Sequence, residues 1–242
     1  MIPELKREIE RGGLVTSIHA PLTRMPWYHS PPTLSFLCDL EPEHRRLSFK
    51  MIEETMAAAE SFGAEYVVVH FPTPTSDDNH GVDYVTLRDI VWDSADHLAQ
   101  LGNRHNIPVH IEGFGPSPFL NLDSLIEIVS DFPNLRICFD TGHMNIASQR
   151  DGFDLYYFAH KLAPYIGSVH VWNTRGIEDY FTYLHIPAHP SQKSEDGWVD
   201  IPRVLKLILS ENDSCSVIME SGVRYPKALG GYDFRDGVKW VQ

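Results

Sequence analysis

No run of eighteen or more apolar residues occurs in this 242-residue sequence, so no stretch of it is long enough to cross a bilayer as a helix. The opening residues, Met1-Ile2-Pro3-Glu4-Leu5-Lys6-Arg7-Glu8, lack the apolar core of a secretory leader. Cysteine is scarce. Cys38, Cys138 and Cys215 are odd in number, far apart and without Cys-x-x-Cys spacing, which removes the disulfide-scaffold and thiolate-metal readings. The expected location is a reducing cytoplasm. Neither Gly-x-Gly-x-x-Gly nor a P-loop follows the first strand-like run, so nucleotide binding has no support. Repeats beyond a strand–helix unit are missing, as are low-complexity tracts. Positive charge is also in short supply: 20 Lys and Arg face 33 Asp and Glu, for a net charge of −13. Such a surface repels phosphodiester backbones and argues against nucleic acid as the main partner. The argument is mild, because clustered ligand carboxylates inflate the count and a bound metal would offset them.

What is present is apolar material for one domain spanning residues 1–242. Hydrophobic residues make up 43%, and a chain of this size buries roughly three quarters of its unfolded surface. Residues 3–12 read as a helix, with Pro3 in its first turn and Gly12-Gly13 as its stop. Strands are expected over 14–20, 65–70, 107–112, 135–140, 166–172 and 214–220. Helices are expected over 43–62, 84–106, 121–130, 154–163 and 201–210. Two long loops, 22–42 and 173–198, are left over, and the first could form a rim or lid. Strands alternating with helices in this way build βαβ units and a parallel sheet.

The chemistry concentrates at strand ends. In Leu135-Arg136-Ile137-Cys138-Phe139-Asp140-Thr141-Gly142-His143 an apolar run stops at a carboxylate, and an imidazole follows three residues later. The pattern recurs at His70, Glu112, His170 and Glu220, and the run 14–20 carries His19. In a parallel barrel or doubly wound sheet the carboxyl ends of the strands share one face, where ligands bind. A single Glu after a strand is more often a solvated loop end or a helix cap. Glu112, Asp140, His170 and Glu220 together on four successive strands are another matter. Three carboxylates converging without a cation would repel and shift one another's pKa, and a divalent metal resolves that repulsion. Oxygen-rich ligation with one imidazole suits Mn, Mg, Co or Zn without selecting among them. Arg175 could hold a substrate hydroxyl, carboxylate or phosphate, or stand in solvent as a loop arginine. Trp27, Tyr28, Phe71, Phe114 and Trp172 either wall a sugar or belong to the core. Cys138, in an apolar strand, reads as a small buried hydrophobe.

Val-His-Ile-Glu112-Gly-Phe, Cys-Phe-Asp140-Thr-Gly-His143, Ser-Val-His170-Val-Trp-Asn and Val-Ile-Met-Glu220-Ser-Gly resemble the xylose isomerase-like TIM-barrel superfamily. It holds sugar and sugar-phosphate isomerases and epimerases together with the endonuclease IV group. The resemblance covers residues 14–222. It implies one divalent metal held by Glu112, Asp140, His170 and Glu220. It also implies proton transfer by Glu112 and Glu220 on opposite faces of the substrate carbon, and substrate contact by His143. His19 and His70 match positions that bind additional zinc in the endonuclease IV group. Substrate contact, metal ligation and core packing all stay open for them. His185 lies fifteen residues beyond His170, where that group has the His of an Asp-x-His pair. Tyr183 replaces the Asp, and His185-Ile186-Pro187 fits the isomerase version better, as a substrate contact.

The same resemblance aligns the Glu112 strand with the fifth strand of a barrel. The expected fold is therefore an α/β parallel (β/α) TIM-type barrel with six βα units and its first two strands unaccounted for. Six strands leave two open edges, to be filled by a missing segment, by the 22–42 loop or by a neighbour, so a homodimer through the open side is a further expectation. The function expected first is a divalent-metal-dependent isomerase or epimerase of a small sugar, keto-sugar or related polyol, working through an enediolate. Two alternatives are an endonuclease IV-like metal-dependent phosphodiesterase and a non-catalytic metal or sugar binder.

Overall fold

Val67–His70 (β2) and Val109–Glu112 (β3) are buried at every residue, as expected of parallel strands covered on both faces. The computed structural model describes residues 2–22, 25–28, 35–72, 82–222, 224–225 and 233–241. The chain forms two units, Met1–Arg136 and Ile137–Gln242.

In the first unit, β1 (Ile18–His19) pairs parallel with β2, and β2 with β3, whose register sets His70 level with Glu112. Helix α1 (Ile2–Gly12) precedes β1. Helix α2 (Pro42–Phe62) starts with Pro42 in its first turn and stops at Gly63, whose φ of 64° suits a residue without a side chain. Its buried face includes Met51, Ile52, Met56 and Ala59. Helix α3 (Tyr84–His105) begins at Asp83, which accepts the Thr86 N–H at 3.0 Å, and α4 (Leu122–Asp131) is capped in the same way by Asn121. The expected strand over 14–20 shrinks to two residues. Leu14 and Val15 are 62% and 72% exposed, so β-branched composition does not make a strand there without something to pack on.

Of the 22–42 loop, residues 23–24 and 29–34 lie outside the described residues. Tyr28 is buried, with its hydroxyl 2.9 Å from Ser48 Oγ, and burial pushes its phenol up. Lys50 Nζ sits 4.3 Å over the Trp27 ring. Both aromatics thus pack on α2.

The second unit carries β4 (Leu135–Asp140, in which the boundary falls), β5 (Ile166–Val171) and β6 (Ser216–Met219), again parallel and in sequence order. The register slips by one residue between Ile137 and Cys138, opposite Gly167, and Asp140 then stands level with His170. Helices α6 (Leu155–Leu162) and α8 (Ile201–Leu209) pack together, and α9 (Phe234–Val241) lies against α8. Two expectations need correction. A helix, α5 (Thr141–Asp151), starts directly at the end of β4, with Asp140 as its cap. The 173–198 loop contains a helix, α7 (Ile177–Tyr183). Cys138 is buried, as read from the sequence, and so is Cys38. Among the described residues no helix is long and apolar enough to cross a membrane.

Candidate functional site

In the first unit the strand ends gather His19, His70 and Glu112. Glu112 is 1% exposed. Its Oε2 lies 3.1 Å from His19 Nε2, and its Oε1 lies 3.7 Å from His70 Nε2. The two imidazoles meet edge to face at 4.8 Å, and His70 stacks on Phe114 at 4.7 Å. His19 Nδ1 is 3.0 Å from the Ala20 carbonyl. A carbonyl only accepts, so the ring donates to it from Nδ1–H. A ring fixed by a backbone carbonyl in this way is the usual arrangement of a metal-ligating histidine.

In the second unit, Asp140, His143, His170, His185 and Glu220 come together around Trp172. Asp140, fully buried, accepts the His143 backbone N–H on Oδ1 at 2.6 Å and the Trp172 indole N–H on Oδ2 at 2.7 Å. Each oxygen keeps a second lone pair. His170 Nδ1 lies 2.8 Å from Glu220 Oε2, and His185 Nδ1 lies 3.7 Å from Glu220 Oε1. Trp172 stacks on His185 at 4.4 Å and meets the edge of His143 at 5.1 Å. The segment after Glu220 is pinned as well, since the Gly222 N–H donates to the His185 carbonyl at 2.7 Å. A β-carbon at Gly222 would stand 2.8 Å from that oxygen.

Every residue of Asp-Thr-Gly-His is turned to the same tryptophan. The Thr141 hydroxyl donates to the Trp172 carbonyl at 2.5 Å and accepts its N–H at 3.2 Å. At Gly142 a β-carbon would fall 2.3 Å from the indole ring, so the helix comes this close only with glycine there.

Arg175 stands apart from this cluster. Its guanidinium donates to both oxygens of Asp179 at 2.7 and 2.8 Å and lies 5.1 Å over the Trp198 ring. The Asp179 carboxylate raises its pKa further. His110 stacks on Tyr66 at 4.1 Å, within the core. Of the five aromatics singled out in the sequence, Phe114 and Trp172 touch site histidines, while Tyr28 and Phe71 are buried in packing.

Sequence reasoning passed over Thr141, Gly142, Tyr180 and the donor role of Trp172. The signal was available in part, because Asp-Thr-Gly after a strand is also a helix-cap pattern. Tyr180 sits on α7, with its ring centre 5.7 Å from that of His143 and 5.8 Å from that of Trp172.

A family model described as xylose isomerase-like TIM barrel matches residues 1–242. Among solved structures, a D-tagatose 3-epimerase-like protein aligns at 22% identity over 98% of this chain and 78% of that one, with a TM-score of 0.69. A 3-keto-D-glucoside 4-epimerase from E. coli aligns at 22% identity over 99% and 83%, with a TM-score of 0.69. An L-ribulose 3-epimerase aligns at 15% identity over 100% and 78%, also at 0.69. At these identities the likeness is one of fold. A search of curated proteins found no match.

Proposed function

Because the chain belongs to the family of xylose isomerase-like TIM barrels, we propose that it is a divalent-metal-dependent epimerase or isomerase of a small sugar, keto-sugar or related polyol. The observation that carries this reading is the meeting of His170 and Glu220 beside Asp140 at the ends of parallel strands. The donor set fits a cation. His170 Nδ1 and Glu220 Oε2 are 2.8 Å apart, close to the roughly 3 Å between neighbouring donors around one ion with bonds of about 2.1 Å. Glu112, Asp140, His170 and Glu220 are the proposed ligands of one Mn, Zn, Co or Mg ion. When bound, that ion draws electron density from carbonyl and hydroxyl oxygens and lowers the barrier to proton loss beside them.

In this reading Glu220 removes the proton next to the substrate carbonyl, leaving an enediolate, and Glu112 returns a proton to the carbon from the other face. His143 and His185 donate to substrate hydroxyls. His19 and His70 hold the Glu112 carboxylate in one orientation. Arg175 would reach a substrate only by leaving Asp179. The aligned epimerases support a ketose or keto-glycoside as the substrate class.

The test is metal analysis of the purified protein, followed by a keto-sugar panel in deuterated water with Glu112→Gln and Glu220→Gln as controls. About one metal per chain, deuterium entering the carbon beside the carbonyl, and loss of both activity and deuterium uptake in the two variants are expected. Full activity in both variants would overturn the proton-transfer assignment. One observation favours the phosphodiesterase reading, namely the two imidazoles against Glu112, which are donors suited to further zinc ions. About three zinc ions per chain and cleavage of abasic-site DNA would decide for it. Metal binding without turnover of any sugar would leave a binder.

A further inference from the structure

Within the second unit, the segment between Asn173 and Ile186 is closed at its base by a fixed neck. The Asn173 N–H donates to the Ile186 carbonyl at 2.8 Å, the two form an antiparallel bridge, and both are fully buried. The Asn173 side chain adds bonds to Gln192 Oε1 and the Val199 carbonyl, each 3.0 Å. Beyond this neck the anchoring is sparse. Helix α7 has no buried residue, and Ile177, Phe181 and Leu184 stand 45%, 77% and 52% exposed. Apart from Tyr180, what holds the segment is polar: the Arg175–Asp179 pair, Gln149 Nε2 donating to the Arg175 carbonyl at 2.9 Å, and buried Thr174, whose hydroxyl donates to the Gly176 carbonyl at 2.8 Å and whose carbonyl accepts from Asn145 Nδ2 at 2.9 Å. An exposed helix with no buried residue of its own marks a segment that opens at low cost.

Both ends of the helix have unusual backbone. Gly176 sits at φ 147°, and Leu184 at φ 61° and ψ −130°, a conformation that a residue with a β-carbon rarely holds. Leu184 is exposed, so its own packing does not offset that strain. Strain of this sort gathers where a segment has two positions or a site is preset. The neighbour of Leu184 is His185, which stacks on Trp172 and approaches Glu220. On the inner side, Tyr180 lies over His143, Trp172 and His185, with ring centres 5.7, 5.8 and 6.1 Å away.

We propose that α7 is a lid over the Asp140–His170–Glu220 cluster, hinged at Gly176 and Leu184, with Tyr180 as the side chain that closes on the substrate. The inference rests on the epimerase reading only in naming a sugar as what lies beneath Tyr180. Lids of this type exclude water and complete a site after substrate enters.

Two measurements on the full chain decide the lid without any substrate. Hydrogen exchange by mass spectrometry should show residues 176–185 exchanging at least tenfold faster than α6 and α8. Diethylpyrocarbonate labelling of His143 and His185 should rise at least threefold in Tyr180→Ala and stay at the wild-type rate in Tyr180→Phe, with circular dichroism unchanged in both. Exchange at 176–185 as slow as in α8 overturns the lid, and so does His143 labelling indifferent to Tyr180→Ala. Should Tyr180→Ala fail to fold, the wild-type exchange comparison still decides. D-tagatose with manganese should then slow exchange at 176–185 at least threefold. No slowing, with the first two results positive, overturns the sugar contact and leaves the lid standing.

Discussion

Trp172 gives its indole N–H to Asp140 at 2.7 Å, and both side chains are completely buried. This bond joins the last residue of β4 to the first residue beyond β5. It fixes the carboxylate so that the same oxygen can hold a cation only on its other side. A buried carboxylate without such donors is costly, so Trp172 serves the charge of Asp140 as much as it fills the core.

Replacing Trp172 by Phe keeps most of the ring and removes the donor. Loss of a hydrogen bond to a buried charged group costs about 1.5–3 kcal/mol, and loss of the group that orients a metal ligand lowers metal affinity by about 10–100-fold. Urea unfolding and metal titration would read the two effects separately. Unchanged metal affinity would show that Asp140 is oriented without Trp172.

Gly142→Ala tests the contact from the helix side. The new methyl group would start 2.3 Å from the indole ring, and overpacking of this kind costs about 1–3 kcal/mol. For a chain of this length that is a fall in Tm of about 2–4 °C per kcal/mol. Calorimetry should find it, and a Tm unchanged in Gly142→Ala would show that the helix and ring can separate without cost.

Removing metal should abolish activity and loosen the fold together. A ligand present at about 100 times its Kd adds about 2.7 kcal/mol to stability, so chelation should lower the Tm and added Mn or Co should restore it. A Tm and a turnover indifferent to chelator would sink the metal-dependent reading. In Asp140→Asn, the stabilisation by added metal should disappear even if the protein folds.

Far from the site, His97 makes stability depend on pH. Its ring stacks on Phe49 at 4.0 Å, and burial holds its pKa below the ordinary 6.5, with Arg104 adding to that shift and Glu53 and Asp96 opposing it. The unfolded chain therefore takes up a proton at a higher pH than the folded one. The contribution of His97 is complete above about pH 6.5 and declines as the pH falls below it. Urea midpoints of wild type should drop between pH 7.5 and 5 by more than those of His97→Gln, with the difference confined to that window. Parallel curves would remove His97 as the cause.

Strand ends were legible because apolar β-branched runs stop abruptly at His70, Glu112, Asp140, His170 and Glu220, and a parallel sheet presents such ends on one face. What lay outside that logic was missed for physical reasons. Helix α5 carries Thr141, Gly142, His143, Met144 and Asn145 all buried, so it has no amphipathic stripe, the feature that reveals a helix in sequence. Helix α7 buries nothing, so its composition reads as loop. The 14–20 strand failed in the opposite sense, its β-branched residues having little to pack against. Trp172 was read by its apolar surface, and nothing in a linear sequence shows which carboxylate an indole N–H will find.

The stitched neck at Asn173 and Ile186 also separates two kinds of change. Residues 177–183 could be lengthened, shortened or recomposed while both feet stay fixed, Asp140 keeps its tryptophan and His185 keeps its place against Trp172 and Glu220. Diversification of substrate choice would then fall on this strap, leaving the reacting groups untouched. Grafting it between members of this fold is a direct route to altered preference with the proposed proton-transfer residues intact.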